Sequence, residues 1–149
     1  MITVSVIDYN LPYRNTLITY LEKAPDLSVV FTDESLTGLR QLLKAKPNVL
    51  IIDINLKGSG VDAVRQVKEA LPATEIIVLT VLDDKEKIFA SLAAGATGYL
   101  LKTESLKTIL AAIRSVHRGD GVIYGSVART VLSYFQIPVN SLPSIDAYH

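Results

Sequence analysis

The chain contains no cysteine. That excludes disulfide frameworks, thiolate nucleophiles and cysteine-ligated zinc, and it agrees with a reducing cytosol. Charge of one sign is not in excess either: 15 Lys plus Arg balance 15 Asp plus Glu. Zero formal net charge gives no broad electrostatic footprint for nucleic acid or anionic lipid. Long apolar runs are missing as well. Met1 leads into the short run Val4 to Ile7, which Asp8 ends. A secretory signal needs a basic start and a longer apolar stretch, and a membrane helix needs about 18 apolar residues. The expected location is the cytoplasm, with no membrane partner. There is no repeat of fixed period, no low-complexity stretch, and no GxGxxG or Walker phosphate loop.

What is present is one domain's worth of ordinary globular composition. The 149 residues are 49% hydrophobic and 20% charged. A chain of that size buries roughly two-thirds of its unfolded surface. Short β-branched runs alternate with segments of helical period. Ile2 to Ile7 is the first run. Asn10 then caps a helix with Pro12 in its first turn and Leu17, Ile18 and Leu21 on one face. Leu27 to Phe31 follows. Asp33 is expected to cap a helix whose inner face is Leu36, Leu39, Leu42 and Leu43, and Pro47 stops it.

Val49 to Ile54 is apolar throughout except for Asp53, the signature of a strand covered on both faces. The loop Lys57 to Gly60 leads to a helix with Val61, Val64 and Val67 inward. Ile76 to Leu79 is the fourth run, ended by Thr80, and Asp83 or Asp84 caps the helix of Ile88, Phe89 and Leu92. Gly95 and Gly98 bracket a turn into Tyr99 to Leu101. The helix from Ser105 carries Leu106, Ile109, Leu110, Ile113 and Val116 and ends near Gly119. Five strands alternating with five helices predict a parallel sheet with helices on both faces. Ser126 to Phe135 reads as a sixth helix. Ile137 to His149 holds two prolines and no periodicity, so it reads as a linker or tail.

In such a sheet, ligands bind outside the carboxyl ends of the strands. Asp8, Asp53, Thr80 and Lys102 all fall there and are expected to converge on one rim, with Asp53 facing solvent. Two carboxylates favour a divalent cation, and magnesium takes oxygen ligands. A lysine and a hydroxyl can meet the oxygens of a transferring phosphoryl group, and an aspartate can accept it. Each residue also has an ordinary use. Asp8 can cap a loop, Thr80 can simply end a strand, and Lys102 can be a solvated lysine. Asp53 is harder to explain that way, because a carboxylate after VLII is costly to bury unpaired.

The segments VSVIDYN, NVLIIDINLKGSG, IIVLTVLDD and AAGATGYLLKTES, in this order, resemble the receiver domains of response regulators over about residues 2 to 136. The last segment, with VARTVLSYF, is most similar to receivers that precede a LuxR-type helix-turn-helix. The resemblance implies a flavodoxin-like (βα)5 doubly wound sheet of order 2-1-3-4-5, plus the C-terminal sixth helix. It divides the chain into a receiver domain at 1–119, a helical extension at 120–136, and a linker or tail at 137–149. It implies that Asp53 takes a phosphoryl group from a sensor histidine kinase, and that Asp8, Asp53 and the Asn55 backbone carbonyl hold Mg2+. Thr80 and Lys102 would contact the phosphoryl oxygens, and Thr80 and Tyr99 would form the switch. A homodimer is a further implied partner. DNA would be bound only through a separate helix-turn-helix domain absent from this chain, whose parent would regulate transcription.

Two departures weaken that picture. Tyr9 stands where the family usually has a second acid that contacts magnesium directly, and a phenol is a poor ligand. Lys57-Gly58-Ser59-Gly60 is one residue short and lacks the usual proline. Weak metal binding and impaired phosphorylation follow, and a phosphorylation-independent interaction module is the alternative. An aspartate-nucleophile phosphatase of the haloacid dehalogenase type is disfavoured: its second aspartate, two residues after the nucleophile, is Asn55 here. The chain is not expected to be an enzyme.

Overall fold

A computed structural model describes residues 1–55 and 60–136. Six parallel strands form one sheet: β1 (Ile2–Ile7), β2 (Leu27–Asp33), β3 (Val49–Ile52), β4 (Glu75–Thr80), β5 (Gly98–Leu101) and β6 (Val122–Ile123). Their order is β2-β1-β3-β4-β5-β6. The helices are α1 (Leu11–Glu22), α2 (Leu39–Ala45), α3 (Gly60–Ala70), α4 (Lys85–Ala93), α5 (Leu106–His117) and α6 (Gly125–Tyr134), with a 3-10 turn at Leu36–Gly38. The expected order of the first five strands holds, and β6 adds one more at the β5 edge. Among the described residues, no helix is long and apolar enough to cross a membrane.

Alternation within each strand sorts the core into two layers. Val49 and Ile51 of β3 join Leu17 and Leu21 of α1 and Ile109, Ile113 and Val116 of α5 on one face. Leu50 and Ile52 join Leu42 of α2, Val64 and Val67 of α3, and Ile88 of α4 on the other. All four β3 residues are buried. Each fully buried aliphatic side chain contributes about 1.5–3 kcal/mol. The central strand therefore has packing on both sides to hold Asp53 in place.

Caps set where the helices begin. The Asn10 side chain accepts from Tyr13 N–H, Asp84 from Lys87 N–H and Ser105 from Thr108 N–H. Asp33 is not a cap. It extends β2 by two residues, pairs with Ile7, and its carbonyl accepts from Asp8 N–H. Ser35 caps the 3-10 turn instead, and α2 starts only at Leu39. Gly60 is the first residue of α3 rather than the end of a loop. A Cβ there would lie 2.1 Å from the Ile54 carbonyl oxygen, so only glycine allows this approach. The expected sixth helix is present, one residue earlier at each end than Ser126 to Phe135. Lys57, Gly58, Ser59 and the segment 137–149 lie outside the described residues.

Candidate functional site

Four parallel strands deliver polar residues to one edge. Asp8 follows β1, Asp53 follows β3, Thr80 ends β4 and Lys102 follows β5. At the centre, the Lys102 ammonium bridges two carboxylates. Nζ lies 2.8 Å from Asp8 Oδ2 and 2.7 Å from Asp53 Oδ2, and it donates to Asp8 Oδ1 at 3.1 Å. The Lys102, Asp8 and Asp53 side chains are 10%, 3% and 6% exposed. Asp53 is thus buried against a cation, not facing solvent as the strand-end position suggested. Two nearby carboxylates are held together because one ammonium lies between them.

Burial alone would lower the Lys102 ammonium. Hydrogen bonds to Asp53 and Asp8, and their charges, outweigh it and hold the pKa above the ordinary lysine value. The other carboxylate oxygens are bound locally. Asp8 Oδ1 accepts from Asn10 N–H and Asp53 Oδ1 from Asn55 N–H, both at 2.8 Å. Arg14 donates to the Asp8 carbonyl at 2.7 Å.

Thr80 and Tyr99 sit beside this triad and meet at a third residue. Thr80 is fully buried, and its hydroxyl accepts from Leu82 N–H at 3.3 Å. Tyr99 is fully buried, and its hydroxyl donates to the Leu82 carbonyl at 2.5 Å. The Leu82 residue of the β4–α4 loop is held from both ends. Burial, followed by the charges of Asp84, Asp53 and Asp83, raises the Tyr99 phenol well above its ordinary value, so it stays a neutral donor.

The donor set fits a hard divalent cation in kind. Asp8, Asp53 and the Asn55 carbonyl are oxygen ligands of the sort magnesium accepts, completed by water. The set is short of acid. Among the described residues, no group of three or more His, Asp or Glu side chains gathers to hold a metal. Tyr9 does not enter the pocket; it is 58% exposed and lines a surface groove with Glu34, Ser35, Leu36 and Thr37.

Sequence reading missed two contributors. Leu82 acts through backbone atoms, which no residue type announces. Tyr13 of α1 was given no role from the sequence, yet its ring faces Lys102 with Nζ 4.6 Å from the centroid. The available signal was its position in the first turn after Asp8, which places it at the same rim. Burial and then the charges of Asp8 and Asp53 push its phenol up to about 12.

The model of the response regulator receiver domain matches residues 4–114. Over 135 residues the chain is 35% identical to the transcriptional regulatory protein LiaR of Bacillus subtilis, covering 89% of this chain and 64% of that protein. It is 30% identical to the oxygen regulatory protein NreC of Staphylococcus carnosus, covering 89% and 62%. The chain therefore spans under two-thirds of the length of these relatives. Among solved structures, a LuxR-family two-component response regulator from Aurantimonas superposes with a TM-score of 0.84 at 20% identity, covering 90% of this chain and 97% of that one. The isolated receiver domain of RcsB from Salmonella enterica, solved with phosphomimetic BeF3-, gives 0.79 at 25% identity, covering 87% and 97%.

Proposed function

This chain belongs to the response regulator receiver family, and on that premise we propose that Asp53 accepts a phosphoryl group from a phosphohistidine of a sensor histidine kinase. In that step the P–N bond to the imidazole breaks and a P–O bond to an Asp53 carboxylate oxygen forms. The observation that carries this reading is the buried Asp53 carboxylate, 2.7 Å from Lys102 Nζ at the end of the central apolar strand. Lys102 already holds the acceptor oxygen and would neutralise charge on the arriving oxygens. Asp8, Asp53 and the Asn55 carbonyl would hold Mg2+, which supplies further charge neutralisation when bound. Tyr9, lying outside the pocket, leaves that binding weak.

Thr80 provides the response. Turning its hydroxyl to the phosphoryl oxygens would break the bond from Leu82 N–H, and the Leu82 carbonyl is the acceptor of Tyr99. Thr80 and Tyr99 would therefore move together through one residue of the β4–α4 loop, which bonds Thr80 by its N–H and Tyr99 by its carbonyl. That rearrangement would bias the face of α4, β5 and α5 towards a homodimer or another output contact. A separate LuxR-type helix-turn-helix domain, outside this chain, would carry DNA binding and transcription control in the cytoplasm. The name of LiaR, a transcriptional regulatory protein, and the greater length of LiaR and NreC support transcription control through a part of the protein outside this chain. The chain itself would not be an enzyme.

The test is incubation with acetyl phosphate over a magnesium series, read by intact mass, with Asp53→Asn as control. Slow addition of one phosphoryl group, steepening with magnesium and absent in the control, is the expected result. No addition at any magnesium level would overturn it. It would favour a phosphorylation-independent interaction module, a reading to which the exposed Tyr9 already lends support.

A further inference from the structure

We propose that Tyr13 is a positioning residue that acts through Lys102 and so sets how readily the Asp8–Asp53 pair takes up a divalent cation. The role of the cation rests on the phosphoryl-acceptor reading; the contact itself does not. A cation that binds Asp8 and Asp53 through their Oδ2 atoms competes with Lys102 Nζ, which already lies 2.8 and 2.7 Å from them. The ammonium has to retreat or share. Tyr13 opposes its retreat. Its ring face lies under Nζ at 4.6 Å, in a place where the lysine side chain is only 10% exposed. A cation over an aromatic face is held more strongly when desolvated than at an exposed site.

Three further observations make this a built contact. The Tyr13 backbone is fixed, because its own N–H is the one capped by Asn10 at 3.0 Å. Asn10 N–H in turn donates to Asp8, so ring, cap and carboxylate share one rigid turn. Among the described residues the buried Tyr13 hydroxyl has no hydrogen-bond partner. What the residue contributes is its ring.

The experiment uses the 149-residue chain and MgCl2 alone, followed by titration calorimetry. Tyr13→Leu removes the aromatic face, and Tyr13→Phe keeps it. Tyr13→Leu is expected to lower the Kd for Mg2+ about three- to tenfold, the worth of a partly desolvated cation–ring contact. Tyr13→Phe is expected to retain the wild-type value. A Tyr13→Leu Kd within twofold of wild type, a weaker one, an equal change in Tyr13→Phe, or no Mg2+ binding in all three chains overturns the proposal.

A metal-free readout stands beside it. Ring current should move the Lys102 side-chain methylene protons upfield in the NMR spectrum of the wild-type and Tyr13→Phe chains, and not in Tyr13→Leu. Random-coil shifts in the wild type overturn the contact whether or not the leucine variant folds. Neither readout involves phosphate. Failure of acetyl phosphate to modify Asp53 leaves both intact, and failure of the ring-current readout leaves the acceptor reading intact.

Discussion

Two ion-paired clusters sit at opposite rims of the same sheet. At the carboxyl rim Lys102 joins Asp8 and Asp53, and all three side chains are at most 10% exposed. At the amino rim Arg114 of α5 grips Asp26, just before β2, through two bonds of 2.9 and 2.8 Å. By geometry alone the second is the better pair, because a planar guanidinium matches a carboxylate with two parallel bonds. Its side chains are 39% and 45% exposed, however, so water and salt compete for both partners. The buried cluster has poorer geometry and one cation for two acids, yet each member depends on the others. Burial, not the number or length of bonds, decides which cluster the fold and its chemistry rely on.

The largest break in that comparison comes from Lys102→Met. It leaves two buried carboxylates facing each other with no cation. Removing one partner of a buried pair costs about 3 kcal/mol or more. Urea unfolding at neutral pH should show a loss of that size, and added Mg2+ should recover part of it by taking the place of the ammonium. A loss no greater than that of Arg114→Ala would remove the distinction between the two rims.

A smaller effect tests the polar bridge beside the buried cluster. Tyr99→Phe deletes the donor to the Leu82 carbonyl and leaves that acceptor partly buried. A loss of about 1 kcal/mol in urea unfolding is expected from one neutral hydrogen bond. If Leu82 couples Thr80 to Tyr99, the amide signals of Leu82 and Thr80 should shift together in the variant. An unchanged Thr80 amide would separate the two residues.

The same contrast explains what could be read from residues alone. The runs ITVSVI, VLII and IIVL dictate strands because β-branched side chains at period two fill both faces of a covered sheet. Once they are parallel, Asp8, Asp53, Thr80 and Lys102 must share a rim, and they do. Strand β6 was not legible, since Val122–Ile123 has only two residues and no period. Asp33 was misread as a cap because local preference favours Asp before a helix. Pairing of β2 with β1 overrides it by continuing the ladder to Ile7 and Asp33. The solvent exposure of Asp53 was misjudged for a different reason. A strand-end carboxylate is exposed only if nothing covers it, and Lys102 arrives from a strand two positions away in the sheet. Tyr13 was missed because a tyrosine on an amphipathic helix looks like packing until its ring is seen against an ammonium.

The smallest effects belong to the exposed pair, and their form matters more than their size. The Arg114 hydrogen bond, opposed only in part by burial, holds the Asp26 carboxyl below its ordinary value. A pKa lowered in the folded state stabilises the fold above the ordinary carboxylate value of about 3.9 and loses that contribution as pH falls through the folded value. Wild type and Asp26→Asn should therefore differ slightly near pH 6, and their unfolding curves should converge as pH falls below the lowered Asp26 value. The difference should also vanish in about 1 M salt, where screening acts over roughly 3 Å. Lys102→Met should keep most of its deficit in the same concentration of monovalent salt, because a mostly buried cluster is screened far less than an exposed pair. Equal salt sensitivity at the two rims would show that water reaches Asp53 as freely as Asp26, and a carboxylate so hydrated would have no need of the lysine that now bridges it to Asp8.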